Sequence, residues 1–235
     1  MTAAVAQIFS FADPEQLAGA LAAIVADNLR QGLATRQQAS LVVSGGTTPG
    51  QFFFRLRQMD LAWERVVITL ADERWVDPGH EASNERLVRF LLLRDKAVRA
   101  DFVPLKNKAM NARGGEEECC RALARIPRPF DVVVLGMGMD GHTASLLPGA
   151  IGLDQALDPD FGQDCLAITP DPALHERITL TLPALLRARH IFLHCTGRDK
   201  KEVLRQAMAP GPVAAMPVRA ILGQQHVPVH IYWSP

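Results

Sequence analysis

The sequence predicts an α/β fold, a three-layer, mostly parallel, Rossmann-like sheet with helices on both faces. Short apolar runs alternate with segments of helical periodicity along the chain, the pattern of strands joined by helical crossovers. The run Phe130 to Leu135 is apolar except for Asp131 and is bounded by Pro129 and Gly136, as expected of a parallel strand covered on both faces. Several such runs end in glycine or polar turns, where ligands bind beyond the carboxyl ends of open α/β sheets.

From the N-terminus, Leu17, Leu21, Ile24, Val25 and Leu29 fall at helical spacing. They predict an amphipathic helix from Asp13 to Arg30, with Asp13 as cap and Pro14 opening it. Ser40 to Val43 reads as a strand, followed by a glycine turn and a helix whose first turn carries Pro49. Val66 to Leu70 is the next strand, leading through Ala71-Asp72-Glu73-Arg74-Trp75-Val76 to a helix from Asn84 to Leu93. A helix from Glu116 to Arg125 precedes the Phe130 strand, and Pro148 limits any helix that follows it. Ala167 to Thr169, Arg177 to Thr181, His190 to Cys195 and Val229 to Trp233 supply further strands. No repeat or low-complexity tract interrupts the pattern.

A chain of 235 residues can bury one sizeable core, and no linker-like stretch divides it, so residues 1–235 are read as a single α/β domain. Lys plus Arg and Asp plus Glu both number 25, and the absence of a basic stripe argues against a nucleic-acid partner. Any anionic ligand must then be met by local cations. The apolar runs are too short to span a bilayer, and the first residues lack the pattern of an export signal. Cys119, Cys120, Cys165 and Cys195 form no Cys-x-x-Cys pair, which fits a reduced, cytoplasmic protein.

The chemistry concentrates in Asp140-Gly141-His142-Thr143-Ala144-Ser145, which places a histidine between an acid and a hydroxyl directly after a buried strand. Alone, such a histidine is more often a satisfied turn or cap residue, and its neighbourhood shifts the balance. Ser44-Gly45-Gly46-Thr47-Thr48-Pro49 lies between a strand and a helix, a place where free N–H groups suit a phosphate. It lacks the P-loop lysine, so a nucleoside triphosphate is not implied, and an ordinary glycine turn remains the plain alternative. Arg74, beside Asp72 and Glu73, can fork onto an anion or pair with those acids. Arg177 and Lys200 also stand at strand ends and could equally be solvated.

Gly136-Met137-Gly138-Met139-Asp140-Gly141 spells G-x-G-x-x-G, but no long helix follows and no acid closes a next strand, so a dinucleotide cofactor is not expected. Neither a G-x-S-x-G elbow nor H-E-x-x-H is present, and the histidines and cysteines lack metal-ligand spacing. No cofactor and no metal are expected.

Five segments in order then resemble the 6-phosphogluconolactonase family, within the larger group that includes glucosamine-6-phosphate deaminase and ribose-5-phosphate isomerase. They are Val43 to Pro49, Ala71 to Val76 with Ser83-Asn84, Leu135 to Pro148, Arg177 to Thr181, and Thr196-Gly197 with Lys200; the final Pro217 to Trp233 segment is also similar. The resemblance implies a sugar-phosphate isomerase-like fold and hydrolysis of 6-phospho-D-glucono-1,5-lactone to 6-phosphogluconate, a step of the oxidative pentose phosphate pathway.

It further implies that Gly45, Gly46, Thr47 and Thr48 cradle the phosphate, that Arg74 and Lys200 supply charge, and that Asp72 and Arg177 lie near the substrate. His142 would be the general base, its tautomer held by Asp140 or a backbone carbonyl, with the oxyanion met by turn N–H groups between Gly136 and Gly141 or by Arg177. The deaminase carries a glutamate five residues after the equivalent histidine; here that position is Leu147, where the lactonases often have phenylalanine. Two readings stand as alternatives: an isomerase or deaminase using Asp72 to move a proton, and a non-catalytic sugar-phosphate sensor. Sensors of that kind carry a DNA-binding helix-turn-helix, whereas the residues before Leu41 offer one clear helix. The partner is a small phosphorylated lactone, and the chain is a monomer or homodimer.

Overall fold

The computed structural model describes residues 6–171 and 175–235. In chain order, β1 (Gln7–Ser10) leads into α1 (Pro14–Arg36), then β2 (Ala39–Val43) and α2 (Gly50–Leu56). Next come β3 (Val66–Leu70), β4 (Asp72–Arg74), α3 (Asn84–Leu91), β5 (Asp101–Val103), α4 (Ala112–Leu123) and β6 (Phe130–Leu135). The remainder is α5 (Leu153–Leu157), β7 (Cys165–Ile168), β8 (Arg177–Leu180), α6 (Leu182–Leu186), β9 (Ala188–Thr196), α7 (Arg198–Met208), α8 (Val218–Leu222) and β10 (Val229–Ser234).

Seven strands pair in parallel in the order β1-β10-β9-β6-β2-β3-β5. The central β2 and β6 are buried at every position, which is why their sequences are apolar runs rather than alternations. Cross-strand register puts Tyr232 beside His194 and Trp233 beside Cys195, so Trp233 and His194 lie on opposite faces. Phe52 of α2 packs edge-on against His194, and Lys201 of α7 lies over Trp233. Helices therefore cover both faces, as expected.

The long α1 starts as the sequence implies, with Asp13 accepting from the Gln16 N–H and Pro14 at the first helical position. It runs to Arg36, beyond the expected end at Arg30, and buries Leu17, Leu21, Val25 and Leu29.

Three expectations need correction. Ala167–Thr169 and Arg177–Thr181 do not join the main sheet. Their strands, β7 and β8, pair antiparallel with β4 in a separate sheet of order β4-β8-β7. Only Ala71 separates β3 from β4, so the chain leaves the parallel sheet at that residue and its next strand finds a new partner. Secondly, Pro49 precedes α2 rather than opening it; the helix begins at Gly50. Thirdly, no helix follows β6 before Gly152; Thr143 and Leu146 instead form an isolated bridge. The edge strands β1 and β5 were not legible, because their few, partly exposed residues carry no period.

All four cysteines are free, but Cys120 of α4 and Cys165 of β7 meet with their sulfurs 2.9 Å apart. Their mutual contact and burial push the Cys120 thiol well above its ordinary range, so neither is set up as a nucleophile. Among the described residues no helix is long and apolar enough to cross a membrane. The first five residues, part of the stretch read for an export signal, lie outside the described residues.

Candidate active site

A cleft of about 220 Å³ opens where β2, β6 and β9 end and the small sheet approaches. That is below the usual ~300–1,000 Å³ of ligand pockets and suits a sugar-sized molecule. Two glycine turns form its floor.

The first turn follows β2. Among the described residues, the N–H groups of Gly45, Gly46, Thr47 and Thr48 have no protein acceptor. Gly46 takes φ +89, a conformation that costs glycine little. Gly45 is fixed for a different reason, since a Cβ there would lie 1.9 Å from Asn84 Oδ1. Asn84, at the start of α3, donates to the Asp72 carbonyl at 2.8 Å and so ties this turn to the small sheet. Ser44 Oγ is buried without a hydrogen-bond partner.

The second turn follows β6 and is closed on itself. Gly138 N donates to the His142 carbonyl at 2.8 Å, Gly141 N to the Gly138 carbonyl at 3.2 Å, and His142 N to Asp140 Oδ1 at 3.1 Å. His142 Nδ1 lies 2.6 Å from the same carboxylate oxygen, and the His142 side chain is about one-third exposed. That contact holds the Asp140 carboxyl at about 2, against the opposing effect of burial. A Cβ on Gly138 would sit 2.1 Å from His142 Nδ1, so glycine is what leaves room for the ring. Beyond it, Ala144 adopts φ 49, a left-handed conformation unfavourable for a residue with a Cβ. Thr143 Oγ1 bonded to Gly136 O at 2.8 Å and Ser145 N bonded to Thr179 Oγ1 at 3.2 Å hold it there.

The small sheet supplies charge. Arg74 and Arg177 are direct cross-strand partners, a like-charge pairing that is destabilising unless an anion joins it. Arg74 donates to the Ala82 carbonyl at 2.7 Å, yet its Nε and that of Arg177 are buried without partners. Burial pulls the Arg177 guanidinium down from its ordinary range. Asp72 accepts from Ser145 Oγ at 2.6 Å and stands 3.9 Å from Arg177. Glu73 forms no ion pair with either arginine. It accepts from Arg74 N, Ser83 Oγ, Asn84 N and Glu85 N at 2.7–3.0 Å, capping the start of α3, and burial pushes its carboxyl up. Lys200, in the first turn of α7, donates to the Met137 carbonyl and reaches the same cleft.

All ten residues singled out in the sequence (Gly45, Gly46, Thr47, Thr48, Asp72, Arg74, Asp140, His142, Arg177, Lys200) meet here; nine line the cleft and Asp140 stands behind His142. Of the two tautomer partners considered for His142, the structure brings up Asp140. Two of the turn amides considered for an oxyanion, those of Gly138 and Gly141, are already engaged, while the remaining amides of that turn and Arg177 stay available. Sequence reasoning gave no role to Ser44, Asn84, Ser145 or His194, whose contributions depend on contacts between distant segments. Among the described residues no cluster of three or more His, Cys, Asp or Glu could hold a metal.

The model of the family described as glucosamine-6-phosphate isomerases/6-phosphogluconolactonase matches residues 12–233. The chain belongs to this family. Within it, a protein of Rhizobium meliloti (strain 1021) called 6-phosphogluconolactonase is 44% identical over 230 residues, covering 98% of this chain and 99% of its own. A Pseudomonas aeruginosa protein of the same name is 43% identical over 94% of this chain and 91% of its own. The crystal structure of a 6-phosphogluconolactonase from Shewanella baltica OS155 superposes with TM-score 0.96 at 46% identity, over 98% of each chain. A monomeric glucosamine-6-phosphate deaminase shares the fold, with TM-score 0.77 at 16% identity over 96% of each chain.

Proposed function

We propose that this enzyme hydrolyses 6-phospho-D-glucono-1,5-lactone to 6-phosphogluconate. The observation that carries the reading is the pairing of an open, cation-rimmed glycine turn with a closed turn that presents a histidine held by a carboxylate. The free amides of Gly45 to Thr48, with Arg74 and Lys200, receive the phosphate. Such a site needs no metal and no cofactor.

At the other turn, the ionised Asp140 carboxylate accepts a hydrogen bond from His142 Nδ1–H and so leaves Nε2 as the basic nitrogen. Nε2 takes a proton from water as the oxygen attacks the lactone carbonyl. The developing oxyanion is met by Arg177, whose buried Nε has no hydrogen-bond partner in the protein. Collapse of the tetrahedral intermediate breaks the ring C–O bond, and the imidazolium returns the proton to the departing ring oxygen. A lactone is an activated ester, so one positioned base contributing about 10²–10⁴-fold suffices without a covalent nucleophile.

Leu147 is half-buried and apolar, so no carboxylate stands where the deaminases carry the glutamate that assists ring opening. The test is the decay of freshly generated lactone against its spontaneous background, alongside solvent-deuterium incorporation into sugar phosphates. Accelerated decay without deuterium incorporation is expected. Incorporation at carbon without accelerated decay would replace this reading with an isomerase using Asp72.

A further inference from the structure

His194 is a polar residue of the cleft to which no task has been assigned. It sits at the carboxyl end of β9, is 4% exposed, and its Nδ1 is buried without a hydrogen-bond partner. The residue forms a wall shared by the main cleft and a second hollow behind the first glycine turn, which Thr47, Thr48 and Thr196 also line. Phe52 closes one side edge-on, ring centroids 6.1 Å apart. A merely structural histidine at this depth ordinarily finds a partner for its ring nitrogens. This one has a sealed Nδ1, while its ring lines the cleft beside the first glycine turn.

We infer that His194 is a further binding residue of the anion subsite, a neutral imidazole whose Nε2–H donates to a phosphate oxygen of the substrate. The inference rests on the phosphate reading given above. Burial alone, with no charged neighbour acting on it, keeps the ring uncharged down to about 4. A neutral imidazole has one donor. Because no donor faces the sealed Nδ1 and a buried N–H without an acceptor is the costlier orphan, the proton belongs on Nε2. Lys200 and Arg74 supply charge at the same cleft, so a neutral donor adds direction and fixes which oxygen is held.

The test compares wild type with His194→Leu, which keeps the apolar packing against Phe52, and His194→Gln, which restores a side-chain N–H donor. Steady-state constants are taken on 6-phosphogluconolactone and on unphosphorylated glucono-1,5-lactone, with Lys200→Ala as a reference. His194→Leu should raise KM for the phosphorylated lactone about tenfold while kcat changes less than twofold. The preference for phosphorylated over unphosphorylated substrate, as a ratio of kcat/KM, should fall in step, and His194→Gln should recover part of it. Equal losses on both lactones, or a fall in kcat with constant KM, would show that His194 only packs the wall. Were Lys200→Ala also to leave the preference intact, the phosphate would not lie at this end, and the functional reading would fall rather than this residue's role alone. Thermal unfolding of each variant identifies a folding defect, and the Gln variant then decides the case.

Discussion

Between β2 and α2 the amides of Gly45 to Thr48 find no acceptor in the protein, whereas beyond β6 those of Gly138, Gly141 and His142 are all bonded within their own turn. Both turns follow buried parallel strands and are rich in glycine, yet the glycines act differently. In the first, they let backbone donors stay exposed to a ligand and let Asn84 press close. In the second, they make room for one side chain and lock it against a carboxylate. Under the proposed function, the open turn governs ligand affinity and the closed one chemical rate.

The largest effect should come from filling the closed turn. Gly138→Ala places a methyl where the His142 ring lies, and kcat should fall by about 10²–10⁴-fold with KM within a factor of about three. A matching rise in KM would mean that the two turns are not separable. The next effect concerns stability and guards against misreading acid inactivation. His194 is depressed by burial to about 4, and His190 and His230 are lowered by the same cause. Unfolded histidine titrates near 6.5, so the unfolded chain takes up protons first as pH falls. Stability is therefore full above about pH 6.5 and declines towards pH 4, by roughly 3 kcal/mol from His194. Denaturant midpoints across that window should follow this loss in wild type and flatten in His194→Leu; parallel curves would remove His194 as its cause.

At the open turn, Arg74→Ala should raise KM about 10–100-fold, the range of a charged hydrogen bond at 1.5–3 kcal/mol, with kcat nearly constant. An unchanged KM would take Arg74 out of the anion site. The smallest change is Asp140→Asn. Asp140 is half-exposed and water can partly replace it, so kcat should drop only about tenfold, far short of the ~10⁴-fold loss at a buried orienting acid, read from the same lactone assay. A loss as large as that of Gly138→Ala would make Asp140 an equal partner in the chemistry.

Both turns were legible in the sequence because each is local: a buried strand, closely spaced glycines, then the residues that act. The order of strands and helices was legible for the same reason, since β2, β3 and β6 are apolar runs with clear breaks. What was not legible depends on distant contacts. Nothing in Ala167 to Thr181 distinguishes a strand of the main sheet from one paired with the three residues of β4. Ser83-Asn84 reads as an ordinary helix start until α3 brings it against Gly45. The engagement of the Gly138 and Gly141 amides, which withdraws them as oxyanion donors, is a property of the folded turn alone. His194 looks like one more residue of a buried strand, and only its empty hydrogen-bonding position sets it apart.

The most direct measurement is the kcat and KM of His142→Ala on freshly generated 6-phosphogluconolactone, corrected for spontaneous hydrolysis, beside binding of the product to the same variant. The account predicts kcat lowered by about 10²–10⁴-fold with product affinity near that of wild type. A variant that hydrolyses the lactone at the wild-type rate would contradict it.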